Sequence, residues 1–204
     1  MMPGTLMPGT LMPGPSMPGS GLAGAVLTGG ASRRMGSDKA LVLVEGMPMA
    51  SRVTSALRIA GCDSVGLVGG DEAALSSLGG EFVPDLYPSA GPLGAIVTAL
   101  RWATDRVDLV LIASCDMAFL TGHELVPLVD HARSDGDFEV IAARSDRLEP
   151  LCAVWRVSAL AEIEQLFAGG ERAVCRALAR LSVLEVEVDP RSLRNINTPA
   201  DLDQ

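Results

Sequence analysis

Aromatic residues are rare in this chain, 3% of 204, and histidine occurs only twice. His123 and His131 stand eight residues apart on one expected helix, two turns from each other. That spacing indicates neither a metal-binding pair nor a serine–histidine–aspartate assembly, so both are read as surface residues. Cysteine is scarce as well: Cys62, Cys115, Cys152 and Cys175 lie far apart with no C-x-x-C, which excludes an obvious zinc knuckle or disulfide framework and points to reduced thiols. There is no apolar run of about 18 residues to span a membrane, and no charged start followed by a continuous apolar centre to mark a secretory signal. A soluble, cytoplasmic protein is expected. Basic charge is in deficit, with a formal net charge of -9 and a pI near 4.7. Without a compensating basic stripe, this argues against a nucleic-acid partner.

The first residues are a different material from the rest. Met2, Met7, Met12 and Met17 each begin Met-Pro-Gly, and no charged residue precedes Arg33. Proline removes a backbone donor at every repeat and glycine loosens the chain, so residues 1–21 are expected to be disordered. The repeated methionines raise the further expectation of a later biological start, for example at Met17. Residues 22–204, in a chain that is 48% hydrophobic, are expected to form a single domain.

That domain is organised around Leu27 to Lys39, LTGGASRRMGSDK. The apolar run Leu22–Leu27 suits a buried strand emptying into a turn, where Gly29 and Gly30 allow positive φ or close approach of a bound group. Consecutive amides in such a turn can form an anion-binding concavity, and Arg33, Arg34 and Lys39 bring three cations nearby, so the expected guest is polyphosphate. Two familiar phosphate loops are missing. Gly30 and Gly36 are separated by five residues rather than the four of a Walker A loop, and neither Gly29 nor Gly30 begins G-x-G-x-x-G. A tight strand-to-helix turn with solvated arginines is the plain alternative.

Further along, helical spacing over Met49–Ala60 closes at Gly61, and Ser64–Val68 reads as a short buried strand ended by Gly69-Gly70-Asp71. This βαβ succession implies a mostly parallel, Rossmann-like sheet covered on both faces, an α/β three-layer sandwich whose ligands bind outside the carboxyl ends of the strands. A strand ending at Val83 precedes Asp85, and Gly91-Pro92-Leu93-Gly94 opens a helix to about Trp102. Leu109–Ser114 is the most hydrophobic strand and ends in Cys115-Asp116-Met117. A carboxylate at that edge suits a hard divalent cation bridging phosphate oxygens, which makes Asp116 the candidate metal ligand; capping of the helix starting near Thr121 is the structural alternative. Val140–Ala143 and Leu151–Trp155 read as strands, Ser158–Phe167 as an amphipathic helix capped by Ser158, and Thr198–Asp201 as the start of a last helix.

Leu27, Gly29, Gly30, Ser32, Arg34, Met35, Gly36, Asp38 and Lys39 match in order L-x-G-G-x-S-x-R-M-G-x-D-K. This resembles the signature loop of nucleotidyltransferases with the nucleotide-diphospho-sugar transferase fold, and its Gly-Gly and Asp-Lys pairs look most like the molybdenum cofactor guanylyltransferases. Val83-Pro84-Asp85 followed by Gly91-Pro92-Leu93-Gly94, the C-D-M segment, Glu149 to Val154, and Asn195-Ile196-Asn197-Thr198-Pro199-Ala200-Asp201-Leu202 resemble further motifs of that family, over about Ala25 to Leu202. The departure is Ala118, where proline is usual, which leaves the conformation of that loop open.

The resemblance implies an enzyme that uses GTP and Mg²⁺ to attach GMP to the terminal phosphate of molybdenum-bound molybdopterin, releasing pyrophosphate. It implies nucleotide binding by Leu27, Thr28, Gly29, Gly30, Arg33, Lys39, Asp85 and Asp116, with Mg²⁺ on Asp116, and catalytic roles for Lys39, Arg34 and Asp116. It carries over Asn195 and Asn197 to the molybdopterin substrate, with Glu149 and Arg172 as further substrate-side candidates that also suit solvated ion pairs. A phosphate nucleophile is already ionised, so no general base is needed. The lability of the cofactor gives the expectation of a transient complex with proteins that make or receive it. The rival readings are a cytidylyltransferase or sugar-phosphate nucleotidyltransferase on the same fold, a non-catalytic nucleotide-binding partner in cofactor delivery, and a dinucleotide-dependent oxidoreductase.

Overall fold

The computed structural model describes residues 21–29, 39–134, 136–197 and 201. In chain order the elements are β1 (Leu22–Leu27), β2 (Leu43–Val44), β3 (Met47–Pro48), α1 (Met49–Ile59), β4 (Ser64–Val68), α2 (Glu72–Leu75), β5 (Glu81–Val83) and α3 (Pro92–Ala103). After these come β6 (Leu109–Ser114), α4 (Gly122–Ser134), β7 (Val140–Arg144), β8 (Leu148–Arg156), α5 (Leu160–Ala168), α6 (Val174–Leu178) and β9 (Val183–Glu187). One seven-stranded sheet runs β5-β4-β1-β6-β8-β7-β9 and is parallel except for β8, which is antiparallel to both neighbours. β2 and β3 form a separate small hairpin turned by Glu45 and Gly46, both at positive φ.

Strand periodicity explains the three layers. Along β1 and β6, Leu22, Val26, Leu109, Leu111 and Ala113 pack toward α1 and α4, whereas Ala25, Leu27, Val110 and Ile112 pack toward α3, α5 and α6. Side chains two apart share a face, so a strand buried on both sides reads as one continuous apolar run. α1 and α4 approach closely because Gly122 has no side chain: a β-carbon there would sit 2.4 Å from Ile59 Cβ. The expected α/β sandwich with a mostly parallel sheet is the fold observed.

Two local expectations are corrected. β8 begins at Leu148, not Leu151, and carries Pro150 in an interior strand; the register against β7 shifts between Ala142 and Ala143, and this bulge is where a residue without an amide donor is tolerated. Ser158 does not cap α5: a 3-10 turn over Val157–Ala159 precedes that helix, whose N-cap is Ala159 without a side-chain bond. Glu171 and Arg172 lie before α6, where the Glu171 carboxylate accepts from the amides of Arg172 and Ala173. β9 adds an edge strand that the sequence reading lacked; its Glu185 pairs with Arg144 of β7. The expectation of disorder over the Met-Pro-Gly repeat lies outside the described residues, as do Thr198 to Ala200 of the expected last helix.

Candidate functional site

Four strand ends converge on one edge. Beyond β1, the amides of Thr28 and Gly29 both donate to Val68 O, at 3.0 and 2.9 Å, and Thr28 Oγ1 lies 3.0 and 2.7 Å from the carbonyl oxygens of Val68 and Gly69. Gly69 N donates to Val83 O at 2.9 Å and Cys115 N to Leu27 O at 3.2 Å, so β5, β4, β1 and β6 are stitched together just past their ends. The amides of Thr28 and Gly29 are thus spent on backbone, and buried Thr28 ties β1 to β4. Gly30, Arg33 and Arg34 lie outside the described residues.

Glycine matters here for the close approach of two chains. Gly69 has φ of +75°, and a β-carbon on it would stand 3.0 Å from Gly29 Cα; one on Gly29 would stand 3.8 Å from Asp85 Oδ2. The space so preserved opens into a cavity of about 700 Å³ lined by Leu27, Gly29, Gly69, Asp85, Gly91 and Ser114 among others. Asp85 is held in its wall: Oδ1 accepts from Tyr87 N at 2.9 Å and from Thr98 Oγ1 at 3.3 Å. Thr98 itself is buried on α3, and Leu86 N donates to its hydroxyl at 3.2 Å.

Asp116 follows β6 directly. Its Oδ2 accepts from Lys39 Nζ at 2.7 Å, and Lys39 Nζ also donates to Asn197 Oδ1 at 2.7 Å. The Lys39 and Asp116 side chains are only 15% and 18% exposed. Asp116 Oδ1 is buried with no hydrogen-bond partner among the described residues, and so is Asn195 Oδ1. Between the two asparagines, Ile196 N donates to Asp116 O at 3.0 Å and the Ile196 side chain packs on Val44, Met49 and Ala118. Ala118, where a stiffening proline was missed, is therefore buried in an apolar cluster, and its carbonyl accepts from Arg52 Nε at 2.7 Å.

Asn195 and Asn197 line a second cavity of about 590 Å³ together with Arg147, Glu149, Arg191 and Arg194. Glu149 is buried and paired with Arg147 at 2.8 Å. Arg172 is not part of this wall. Its guanidinium stacks 4.0 Å from the Phe167 ring centroid and donates to Phe167 O, beside another cleft between α3 and α5. His123 and His131 are exposed on α4, as expected.

The structure thus joins Lys39, Asp116 and Asn197 by hydrogen bonds, sets Asn195 beside Asn197 in the wall of the second cavity, and gathers Leu27, Gly29 and Asp85 in the first. Sequence reading missed Gly69, Thr98 and Arg52. The Gly69-Gly70 doublet after a buried strand repeats the pattern of Gly29-Gly30 and was a usable signal; Thr98 and Arg52 had none. A second overlooked signal concerns Lys39, the only lysine in a chain with fifteen arginines.

Comparison with known proteins agrees with this fold. Residues 24–183 match the family model described as MobA-like NTP transferase domain. A probable molybdenum cofactor guanylyltransferase of Opitutus terrae is 34% identical over 184 residues, covering 86% of this chain and 90% of the relative. The molybdenum cofactor guanylyltransferase of Cereibacter sphaeroides is 30% identical over 177 residues, covering 85% and 90%. Among solved structures, molybdopterin-guanine dinucleotide biosynthesis protein A from Archaeoglobus fulgidus superposes with a TM-score of 0.72 at 29% identity, over 89% of this chain and 95% of that one.

Proposed function

The chain belongs to the family of MobA-like NTP transferase domains, and from that premise we propose that it transfers GMP from GTP to the terminal phosphate of molybdenum-bound molybdopterin. The observation that carries the reading is the Lys39–Asp116–Asn197 cluster at the carboxyl edge of the sheet, with Asn197 in the wall of one cavity and Ser114, two residues before Asp116, in the wall of the other. A nucleotide in the glycine-walled cavity and an acceptor in the arginine-bearing one would meet at this cluster.

An oxygen of the acceptor phosphate attacks the α-phosphorus of GTP, the bond from that phosphorus to the α,β-bridging oxygen breaks, and pyrophosphate leaves with the electron pair. Nothing needs to remove a proton, because the nucleophile is ionised at neutral pH. The protein's task is positioning and charge complementarity. Asp85 and the close-packed Gly29 and Gly69 shape the nucleotide cavity, and Lys39 supplies positive charge to the polyphosphate.

A divalent cation fits Asp116 because, among the described residues, its buried Oδ1 has no hydrogen-bond partner. Mg²⁺ characteristically takes one or two carboxylates and completes its shell with phosphate oxygens and water. Bound there, Mg²⁺ supplies neutralisation of the phosphate charge. Arg33 and Arg34 belong to the same reading through their place in the loop.

The test is anaerobic incubation of the protein with molybdenum-bound molybdopterin, Mg²⁺ and either GTP or CTP. Pyrophosphate release matched by a guanine dinucleotide product is expected; turnover preferring CTP, or none with either, would overturn the assignment. The same reading entails a transient complex with proteins that make or receive the labile cofactor, and an anaerobic pull-down that recovers none would count against that part.

A further inference from the structure

Asn197 was carried over as a direct contact for the second substrate, but its recorded side-chain bond goes elsewhere. Its Oδ1 accepts from Lys39 Nζ at 2.7 Å, across 158 residues of sequence. We infer that Asn197 is a positioning residue, whose neutral oxygen holds the ammonium of Lys39 where it meets the nucleotide's polyphosphate. The inference rests on the nucleotidyltransferase reading and deepens it.

The argument begins with the lysine. A lysine side chain is among those with most rotamer freedom to lose, so one contact leaves the nitrogen poorly placed. Two acceptors from different parts of the chain define it far better, and here they are Asp116 at the end of β6 and Asn197 in the returning C-terminal segment. An ammonium has three donors. Two are committed, and among the described residues the third is left for a ligand oxygen, so an arriving phosphate need break neither bond.

The anchor is itself well fixed. One residue earlier, Ile196 is fully buried and its amide is bonded to Asp116 O; at 197, the backbone amide donates to Asp201 Oδ2 at 2.8 Å. The neutrality of the amide also has a consequence. Asp116 already supplies one negative charge to Lys39, and a second carboxylate at 197 would offset the ammonium field that attracts a polyanion. An amide oxygen orients the lysine without that loss. Because Asn197 also lines the second cavity, the residue that sets Lys39 stands in the wall of the acceptor site.

The experiment is a double-mutant cycle on ligand affinity. Calorimetric titration with Mg²⁺-pyrophosphate and with Mg²⁺-GTP is carried out on the wild type, Asn197→Ala, Lys39→Ala and the double variant. Asn197→Ala is expected to weaken both ligands about tenfold, the scale of one hydrogen bond to a charged group, and Lys39→Ala about a hundredfold. The double variant is expected to match Lys39→Ala within about twofold, since Asn197 has nothing left to position. Because Lys39 is the only lysine, ¹⁵N-lysine labelling gives one side-chain Nζ signal, which should lose order in Asn197→Ala while the melting temperature holds. Losses that multiply in the double variant, or unchanged affinity in Asn197→Ala, would overturn the inference. Asn197→Ser, too short to reach Lys39, serves in place of Ala should that variant fold poorly. A wild type that binds neither ligand would remove the functional reading itself, whereas normal wild-type binding with a multiplicative cycle removes only the role of Asn197.

Discussion

The two cavities at the carboxyl edge of the sheet are walled by opposite kinds of chemistry. The larger is bounded by Leu27, Gly29, Gly69, Pro84 and Gly91, with Asp85 as its carboxylate. The smaller is bounded by Asp146, Arg147, Glu149, Arg191 and Arg194. The first lies beyond the parallel strands β5, β4, β1 and β6, where backbone approaches backbone and only small residues leave room. The second lies where β8 reverses direction and the chain returns after β9, so its wall is built from long side chains. A guest of the first cavity is selected mainly by shape, and a guest of the second mainly by charge.

Four outcomes would break or sharpen that contrast. The largest is expected just past β6: Asp116→Ala should lower pyrophosphate release about a thousandfold, the scale on which preorganised charge acts in such sites. A steady-state assay checks this, and a loss under tenfold would detach Asp116 from the chemistry. Next comes Gly69→Ala, which places a β-carbon 3.0 Å from Gly29 Cα at a φ of +75°. It should cost about 1–2 kcal/mol in denaturant unfolding and raise KM for GTP without moving KM for the acceptor. Unchanged KM for GTP would mean that the glycine contact does not shape the nucleotide cavity.

On the other side, Arg147 and Arg191 are 74% and 90% exposed in their side chains. Arg191→Ala should unfold within about 0.5 kcal/mol of the wild type, as surface substitutions do, whereas Arg147→Ala also strips the buried Glu149 carboxylate of its ion-pair partner and should unfold more easily. A few-fold rise in KM for the acceptor alone, easing at higher salt, is the expected kinetic result; an equal rise for GTP would erase the division of labour. The smallest effect is expected outside both cavities. The side-chain hydrogen bond from Arg176, then the amides of Ala173 and Arg172, hold the Glu171 carboxyl down at about 2 from an ordinary 4.5. A carboxyl lowered by folding stabilises above its unfolded value and loses that contribution as pH falls through its folded one. The gap in melting temperature between wild type and Glu171→Gln should therefore be full above about pH 4.5 and vanish by about pH 2.

The contrast also tracks what could be read in advance. The parallel half was legible because its signals are local: the apolar runs of β1 and β6, the glycine doublet after β1, Asp85 and Asp116 just past strand ends. The other half hid more. β9 carries charged residues suited to an exposed edge, so its pattern is weak. β8 extends past Pro150 only because a bulge absorbs the missing donor. Ser158 has the right residue type for a cap, yet the chain enters α5 through a 3-10 turn that leaves it outside the helix start.

By itself the sequence determined the alternation of strand and helix, the carboxyl edge as the place of the site, and the residue types gathered there, because those follow from side-chain periodicity and turn chemistry within a few residues. Only the tertiary structure decided that the amides of Thr28 and Gly29 are spent on β4 and that Arg172 lies away from the cleft. It alone decided that Lys39 is shared between Asp116 and Asn197. Those pairings join segments up to 158 residues apart, and they form only when the sheet order and the returning C-terminal chain bring them within a hydrogen bond's reach.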